Sequence, residues 1–178
     1  AIDRSIGVCK AYSTRVGSGP FPSEFSPQSD GDLGSRVREL GREYGTTTGR
    51  PRRCGWLDIV ALRYACRSNS LDSLALTKLD VLSSFDEVQA CVAYRCGDTL
   101  VKEFPASRAA LECALPVTER LPGWRRPLGA CRRFEDLPPQ AREYVRFIEE
   151  KAGVPVSIVS VGPEREETMT RQDPWTRS

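Results

Sequence analysis

The chain has 178 residues, 39% of them hydrophobic and 28% charged, with a formal net charge of +2. That is enough chain for one domain with a real core, and too little charge to draw the whole surface toward nucleic acid or lipid headgroups, so any anion-binding function has to be local. No apolar run approaches the roughly 20 residues of a membrane span, and the N-terminus lacks the charged-then-apolar pattern of a secretion signal, so a cytoplasmic protein is expected.

In chain order, Ile6–Val16 (IGVCKAYSTRV) is rich in β-branched and aromatic residues and stops at GSGPFP, predicting one strand and a turn-rich loop. The polar SPQSDGD stretch reads as a linker whose Asp32 caps the next helix. Leu33, Val37, Leu40 and Tyr44 recur at helical spacing, closed by Gly45. After a loop over Thr46–Trp56, a second helix is predicted for Leu57–Asn69, with Leu57, Val60, Ala61, Tyr64 and Ala65 inward. Ser73–Thr77 (SLALT) is the short, nearly unbroken apolar run of a strand covered on both faces. KLDVLSSFDE follows as a turn, and Val88–Arg95 as a strand turning at Gly97-Asp98. Residues 105–140, punctuated by proline, carry no clear pattern. Leu137–Ala152 is a long helix with Ala141, Tyr144, Val145 and Ile148 inward and Gly153 as its stop. Residues 154–162 (VPVSIVSVG) make a buried strand, and the charged stretch beyond Pro163 is loop. Strands alternating with helices predict an α/β fold: a mainly parallel sheet with flanking helices, and no internal repeat.

Seven cysteines, at 9, 54, 66, 91, 96, 113 and 131, show no C-x-x-C spacing, and there is no histidine. A metal site is therefore not expected, whereas reduced and mostly buried thiols are. The missing histidine also removes the side chain most used for acid–base chemistry near neutral pH. The acidic pairs Glu149-Glu150 and Glu166-Glu167 read as solvated surface.

Thr46–Trp56, TTTGRPRRCGW, concentrates charge where little burial is available. Arg50, Arg52 and Arg53 supply rigid donor forks that match carboxylates and phosphates. Thr46, Thr47 and Thr48 add hydroxyl and backbone donors, Gly49 permits close backbone approach, and Pro51 stiffens the loop. The plain alternative is a solvated basic loop leading into a helix. A third reading is a Gly-Arg-Pro hook for the DNA minor groove. Such hooks belong to repeated, strongly basic tails, unlike a single segment between two amphipathic helices in a nearly neutral chain, so no nucleic-acid partner is expected.

Ala75–Asp80 (ALTKLD) ends a buried strand and delivers Lys78, Leu79 and Asp80 at its carboxyl edge, where open α/β sheets bind ligands. An aspartate there accepts two parallel hydrogen bonds from the ring N–H and exocyclic amino group of guanine, a pattern adenine lacks, while the Lys78 stem lies along the base. This resembles the Asn/Thr-Lys-x-Asp guanine element of GTP-binding proteins; a strand-end salt bridge is the ordinary alternative. Ser160-Val161-Gly162, before Pro163, again follows a buried strand, and Gly162 admits a flat ligand close to the backbone.

Taken in order, KAYSTRVGSGPFPSE, TTTGRPRRCGWLDIVALRYA, LALTKLDVL, CVAY, LPGW, YVRFIEEKAGVPVSIVSVGP and the late DP resemble the adenylosuccinate synthetase family over nearly the whole chain. The resemblance implies a ligase that joins IMP and L-aspartate, with GTP and Mg²⁺, to give adenylosuccinate, GDP and phosphate through a phosphorylated IMP. It implies that Thr46, Thr47, Thr48, Gly49, Arg50 and Arg52 form a mobile loop that clamps the aspartate carboxylates, with Val16 beside them. Arg50 would also reach IMP and Arg52 the GTP side. Lys78, Leu79 and Asp80 would read guanine, helped by Ser160, Val161 and Gly162.

The departures from the family pattern are as informative. The family's phosphate loop Gly-Asp-Glu-Gly-Lys-Gly, whose aspartate is the catalytic base, and the histidine acid after it have no counterpart among these residues. With Ala1-Ile2-Asp3 at the start instead of Met, the sequence looks like a C-terminal portion: an incomplete part of the family fold, with most IMP contacts and the Mg²⁺ ligands upstream. Such a portion is expected to be inactive alone, to expose strand edges that the rest would pair, and to form a homodimer only when complete. The alternative function is a non-catalytic guanine-nucleotide-binding or interaction module.

Overall fold

The structure is a computed structural model that describes residues 3–173. Pro174, half of the late DP dipeptide, lies outside the described residues. In chain order the elements are β1 (Ile6–Lys10), β2 (Ser13–Arg15), α1 (Pro27–Asp30), α2 (Leu33–Gly41), β3 (Arg53–Gly55), β4 (Leu57–Asp58), α3 (Ile59–Ser68), β5 (Ser73–Thr77), β6 (Glu87–Cys96), β7 (Thr99–Val101), α4 (Arg108–Glu112), β8 (Leu115–Pro122), α5 (Pro139–Ala152), β9 (Val156–Ser160) and β10 (Thr168–Thr170). Two compact units share them. One gathers the chain up to Ala11, Ala61–Val88 and the chain from Arg120 on; the other gathers Tyr12–Val60 and Gln89–Glu119.

The first unit is built on a four-stranded sheet in the order β1-β5-β9-β10. β1, β5 and β9 run parallel, with Val8 opposite Ala75 and Ala75 opposite Ile158. Leu74 and Leu76 of β5 and Val156 and Val159 of β9 are wholly buried, the placement predicted from their unbroken apolar runs. β1 is an edge strand among the described strands, and its Val8 is 75% exposed. The α/β class and the mainly parallel sheet therefore stand as predicted.

α5 packs its predicted stripe, Ala141, Tyr144, Val145 and Ile148, together with Ala152, and stops where Gly153 turns left-handed at φ 79°. It begins two residues later than predicted because Pro138 and Pro139 set its first turn. The fully buried Tyr144 hydroxyl donates to the Ala11 carbonyl at 2.7 Å. Tyr144→Phe leaves that buried carbonyl one partner short, so a loss of about 1–3 kcal/mol is expected, read as a lower urea midpoint at unchanged slope.

Four expectations need correction. The single strand predicted over Ile6–Val16 is two, β1 and β2, in different sheets, because Ala11 and Tyr12 turn inward at the break and are 0% and 1% exposed. The helix begun at Leu33 ends at Gly41, not Gly45, since Arg42 adopts a left-handed φ of 49°; Asp32 stands at its cap position without a capping hydrogen bond, and Leu40 is 53% exposed. Leu57 and Asp58 belong to β4, parallel to β6, so α3 starts at Ile59, and Tyr64 is 48% exposed while Ile59, Val60 and Cys66 are buried. The stretch after Pro163 is not all loop: Thr168–Thr170 adds β10 antiparallel to β9, seated by the buried Met169.

The second unit holds the antiparallel pair β2–β3 and the sheet of β4, β6 and β7, with β8 also on β6. Its core joins Val60, Cys91, Tyr94 and Ala114. The buried Tyr94 hydroxyl donates to Asp58 Oδ2 at 2.6 Å, which satisfies a carboxylate that is only 7% exposed. Among the described residues no helix is long and apolar enough to cross a membrane.

Candidate functional site

The arginine loop grows from the end of α2. Tyr44 and Pro51 form an antiparallel bridge, the Gly45 N–H donates to the Arg50 carbonyl at 2.8 Å, and the Gly49 N–H donates to the Gly45 carbonyl at 2.8 Å. This short ladder lifts Thr46–Pro51 into solvent, with Gly49 at a left-handed φ of 62°. The three arginines have different fates. Arg53 forks both oxygens of Glu24, at 2.8 and 2.5 Å. Arg52 donates Nη1 to Glu43 at 2.8 Å. Among the described residues the Arg50 guanidinium has neither an ion pair nor a hydrogen bond.

A cavity of about 530 Å³ opens at this loop, lined by Val16, Gly45, Thr48, Arg50, Arg52 and Arg53 among others. Val16, which follows β2 far from the loop in sequence, is thus brought to the arginines, and it is 78% exposed. Thr46, Thr47 and Gly49 lie on the exposed turn outside that lining. Three guanidinium groups and a hydroxyl on an open concave surface suit a small anionic ligand.

The other predicted cluster belongs to the first unit. β5 ends at Thr77, and Lys78 takes a left-handed φ of 59° that turns the chain into a one-turn 3-10 helix over Leu79–Leu82. Leu79 is fully buried and anchors the turn, which leaves Asp80 half-buried beside it. Burial pushes the Asp80 carboxyl above the ordinary carboxylate range; its own backbone hydrogen bond and the Lys78 charge pull it down, and the Glu167 charge pushes it up.

After β9, the Ser160 hydroxyl donates to the Gly162 carbonyl at 2.8 Å, and the Val161 N–H donates to the Glu167 carbonyl at 2.9 Å. Gly162 passes so near the Glu167 carboxylate that any Cβ would collide with it. Asp80, Val161 and Gly162 then share an open cavity of about 550 Å³ at the carboxyl ends of β5 and β9. Lys78, Leu79 and Ser160 stay outside its lining.

Sequence reasoning missed part of that rim: Ser83, Arg125, Leu128 and Glu167 also line the cavity. The available signal was LPGW. The Gly123 N–H donates to the Asp86 carbonyl at 2.8 Å, a Cβ at Gly123 would strike the Phe85 carbonyl, and Trp124 Nε1 donates to Ser83 Oγ at 3.2 Å. That glycine lets the chain pass tightly enough to bring Arg125 and Leu128 to the pocket. The solvated-surface reading of two acids is corrected here. Glu167 faces the cavity and accepts the Glu164 N–H at 3.0 Å. Glu149 is paired with Arg171 at 2.6 Å and accepts the Val156 N–H at 2.8 Å.

All seven cysteines are free thiols, and Cys54, Cys66, Cys91 and Cys131 are buried. Burial first, and then the Asp58 carboxylate, pushes the Cys91 thiol up to about 12, so it is inert near neutral pH. Among the described residues no three His, Cys, Asp or Glu side chains converge on a position fit for a metal ion.

A parallel α/β sheet with an open pocket at the carboxyl ends of two strands is the architecture of ligand-binding α/β proteins. Comparison with known proteins narrows this. The family model described as adenylosuccinate synthetase matches residues 1–169. The adenylosuccinate synthetase of Gloeobacter violaceus is 52% identical over 173 residues, covering 97% of this chain and 38% of that protein. The Moorella thermoacetica protein of the same name is 51% identical over 174 residues, 98% of this chain and 40% of its own. A solved structure, that of fully ligated adenylosuccinate synthetase from Plasmodium falciparum, superposes with a TM-score of 0.89 at 40% identity, covering 96% of this chain and 40% of that one. The chain belongs to the adenylosuccinate synthetase family, and it spans about two fifths of the length of the curated relatives it matches.

Proposed function

We propose that the chain supplies the aspartate and guanine ends of a ligase of purine nucleotide biosynthesis, which joins IMP and L-aspartate to form adenylosuccinate while converting GTP to GDP and phosphate. The observation that carries this reading is the Arg50 guanidinium, unpaired among the described residues over an open cavity while its two neighbours hold internal carboxylates. On this reading the dicarboxylate substrate binds at Thr46, Thr47, Thr48, Gly49, Arg50 and Arg52 beside Val16, and Arg50 also reaches IMP. Asp80, with Lys78 and Leu79, reads guanine against the Ser160–Gly162 turn.

Mg²⁺ is expected to be held mainly by residues of the rest of the family's length, since among the described residues no three His, Cys, Asp or Glu side chains converge. Nor do the residues present include the family's phosphate loop or its histidine. Phosphoryl transfer depends on positioning and charge around the γ-phosphate. These residues therefore contribute recognition, and turnover needs the rest of the family's length, in a cytoplasmic homodimer. Calorimetric titration of the chain with GDP and with ADP tests the guanine half directly. Saturable binding of GDP and none of ADP supports the reading; equal binding of both nucleotides, or of neither, removes it.

A further inference from the structure

We infer that Glu43, which no motif of the loop includes, is the positioning residue that aims Arg52, acting together with the Tyr12 hydroxyl. The inference rests on the reading of the arginine loop as a dicarboxylate clamp. Glu43 is 0% exposed. A carboxylate so fully withdrawn from water is tolerated only where its charge and lone pairs are met, so its partners reveal its role. Its Oε1 accepts the Tyr12 hydroxyl at 2.6 Å, and its Oε2 accepts Arg52 Nη1 at 2.8 Å.

The main chains of the same two residues are joined as well. The Arg52 N–H donates to the Glu43 carbonyl at 2.9 Å, the Glu43 N–H donates to the Arg38 carbonyl at 2.8 Å, and Arg38 Nε donates to the Arg52 carbonyl at 2.9 Å. Arg52 is therefore held at both backbone groups and at one corner of its guanidinium. Nε and Nη2 have no partner among the described residues, the side chain is 32% exposed, and Arg52 lines the 530 Å³ cavity. Tyr12 is itself 1% exposed, and its hydroxyl lies so near Gly41 that a Cβ there would collide with it.

Fixing a long, rotamer-rich side chain before the substrate arrives removes that ordering cost from binding and keeps two donors in register with a carboxylate. A purely structural ion pair would move stability and leave substrate dependence untouched. Steady-state kinetics distinguish the two. The protein to use is a synthetase of full family length carrying these 178 residues, with L-aspartate varied at saturating IMP and GTP, in the variants Glu43→Gln, Tyr12→Phe, Arg52→Leu and the double variant Glu43→Gln/Arg52→Leu.

Glutamine matches the shape of Glu43 but replaces the charge-assisted acceptor, so the expected result is a rise of roughly tenfold in KM for L-aspartate, with kcat within about twofold. Tyr12→Phe is expected to act in the same direction by about threefold, and Glu43→Gln to add nothing once Arg52 is leucine. The inference is overturned if Arg52→Leu raises KM for aspartate while Glu43→Gln and Tyr12→Phe leave it unchanged, or if the effects multiply in the double variant. An Arg52→Leu enzyme with unaltered aspartate dependence would instead remove the clamp reading itself, and the positioning role with it. If Glu43→Gln yields no folded protein, Tyr12→Phe decides by the same criterion.

Discussion

Asp80→Asn is expected to weaken binding of guanine nucleotides roughly 10²- to 10³-fold, the cost of about one lost charge-assisted hydrogen bond and one added donor–donor repulsion. An aspartate presents two acceptors to the two N–H groups on one edge of guanine. Asparagine keeps one acceptor and turns a donor against the other N–H, so a bond is lost and a repulsion is added. The same swap fits xanthine, which carries a carbonyl where guanine has its amino group, and xanthosine nucleotides should bind the variant better than the parent. The effect is separable from folding, because the turn is anchored by the buried Leu79 and asparagine has the same shape as aspartate. Calorimetry with GDP and with xanthosine diphosphate checks both halves, and unchanged GDP affinity would remove the guanine assignment. The parent protein carries a pH signature too. Only the ionised carboxylate accepts both bonds, and burial holds the Asp80 pKa above the ordinary carboxylate range, so GDP binding should begin to fail on acidification at a higher pH than an exposed aspartate would allow.

The second large effect is expected of Arg50→Leu: a rise of roughly 10²-fold or more in KM for L-aspartate, at the scale of a bidentate guanidinium–carboxylate pair. Arg50 is exposed and has no internal partner among the described residues, so its removal should leave stability within about 0.5 kcal/mol. Arg50→Lys should recover part of the loss, since an ammonium keeps the charge but not the fork. Initial rates against aspartate concentration in a synthetase of full family length, with a thermal melt beside them, separate binding from folding. An unchanged KM would show that the loop serves another purpose.

How far the sequence led differs from element to element. SLALT was legible because a strand covered on both faces writes itself as an unbroken apolar run, and α5 because Ala141, Tyr144, Val145 and Ile148 keep helical spacing. Local pattern failed where tertiary pairing decided the outcome. Nothing in IGVCKAYSTRV marks Lys10 and Ser13 as members of different sheets; the break depends on where β5 and β3 lie, far along the chain. β8 was illegible because most of it is not buried, and β10 because its three residues hold a single apolar anchor, Met169.

The sites divide in the same way. Asp80, Gly162 and the loop arginines were readable as residue types whose chemistry is specific at that spacing. Glu43 and Glu167 were not, since an acid in a charged stretch looks solvated until the fold withdraws it from water or turns it into a cavity. The packing behind LPGW likewise appears only once Gly123 is seen against the Phe85 carbonyl.

The most direct test of the account replaces the matching segment of a complete adenylosuccinate synthetase with these 178 residues and measures adenylosuccinate formation from IMP and L-aspartate with GTP or ATP as phosphoryl donor. Turnover with GTP, saturable in aspartate and lost with ATP, is the predicted result. A folded chimera that forms no adenylosuccinate, or that uses ATP as readily as GTP, would contradict the assignment of these residues to the aspartate and guanine ends of the enzyme.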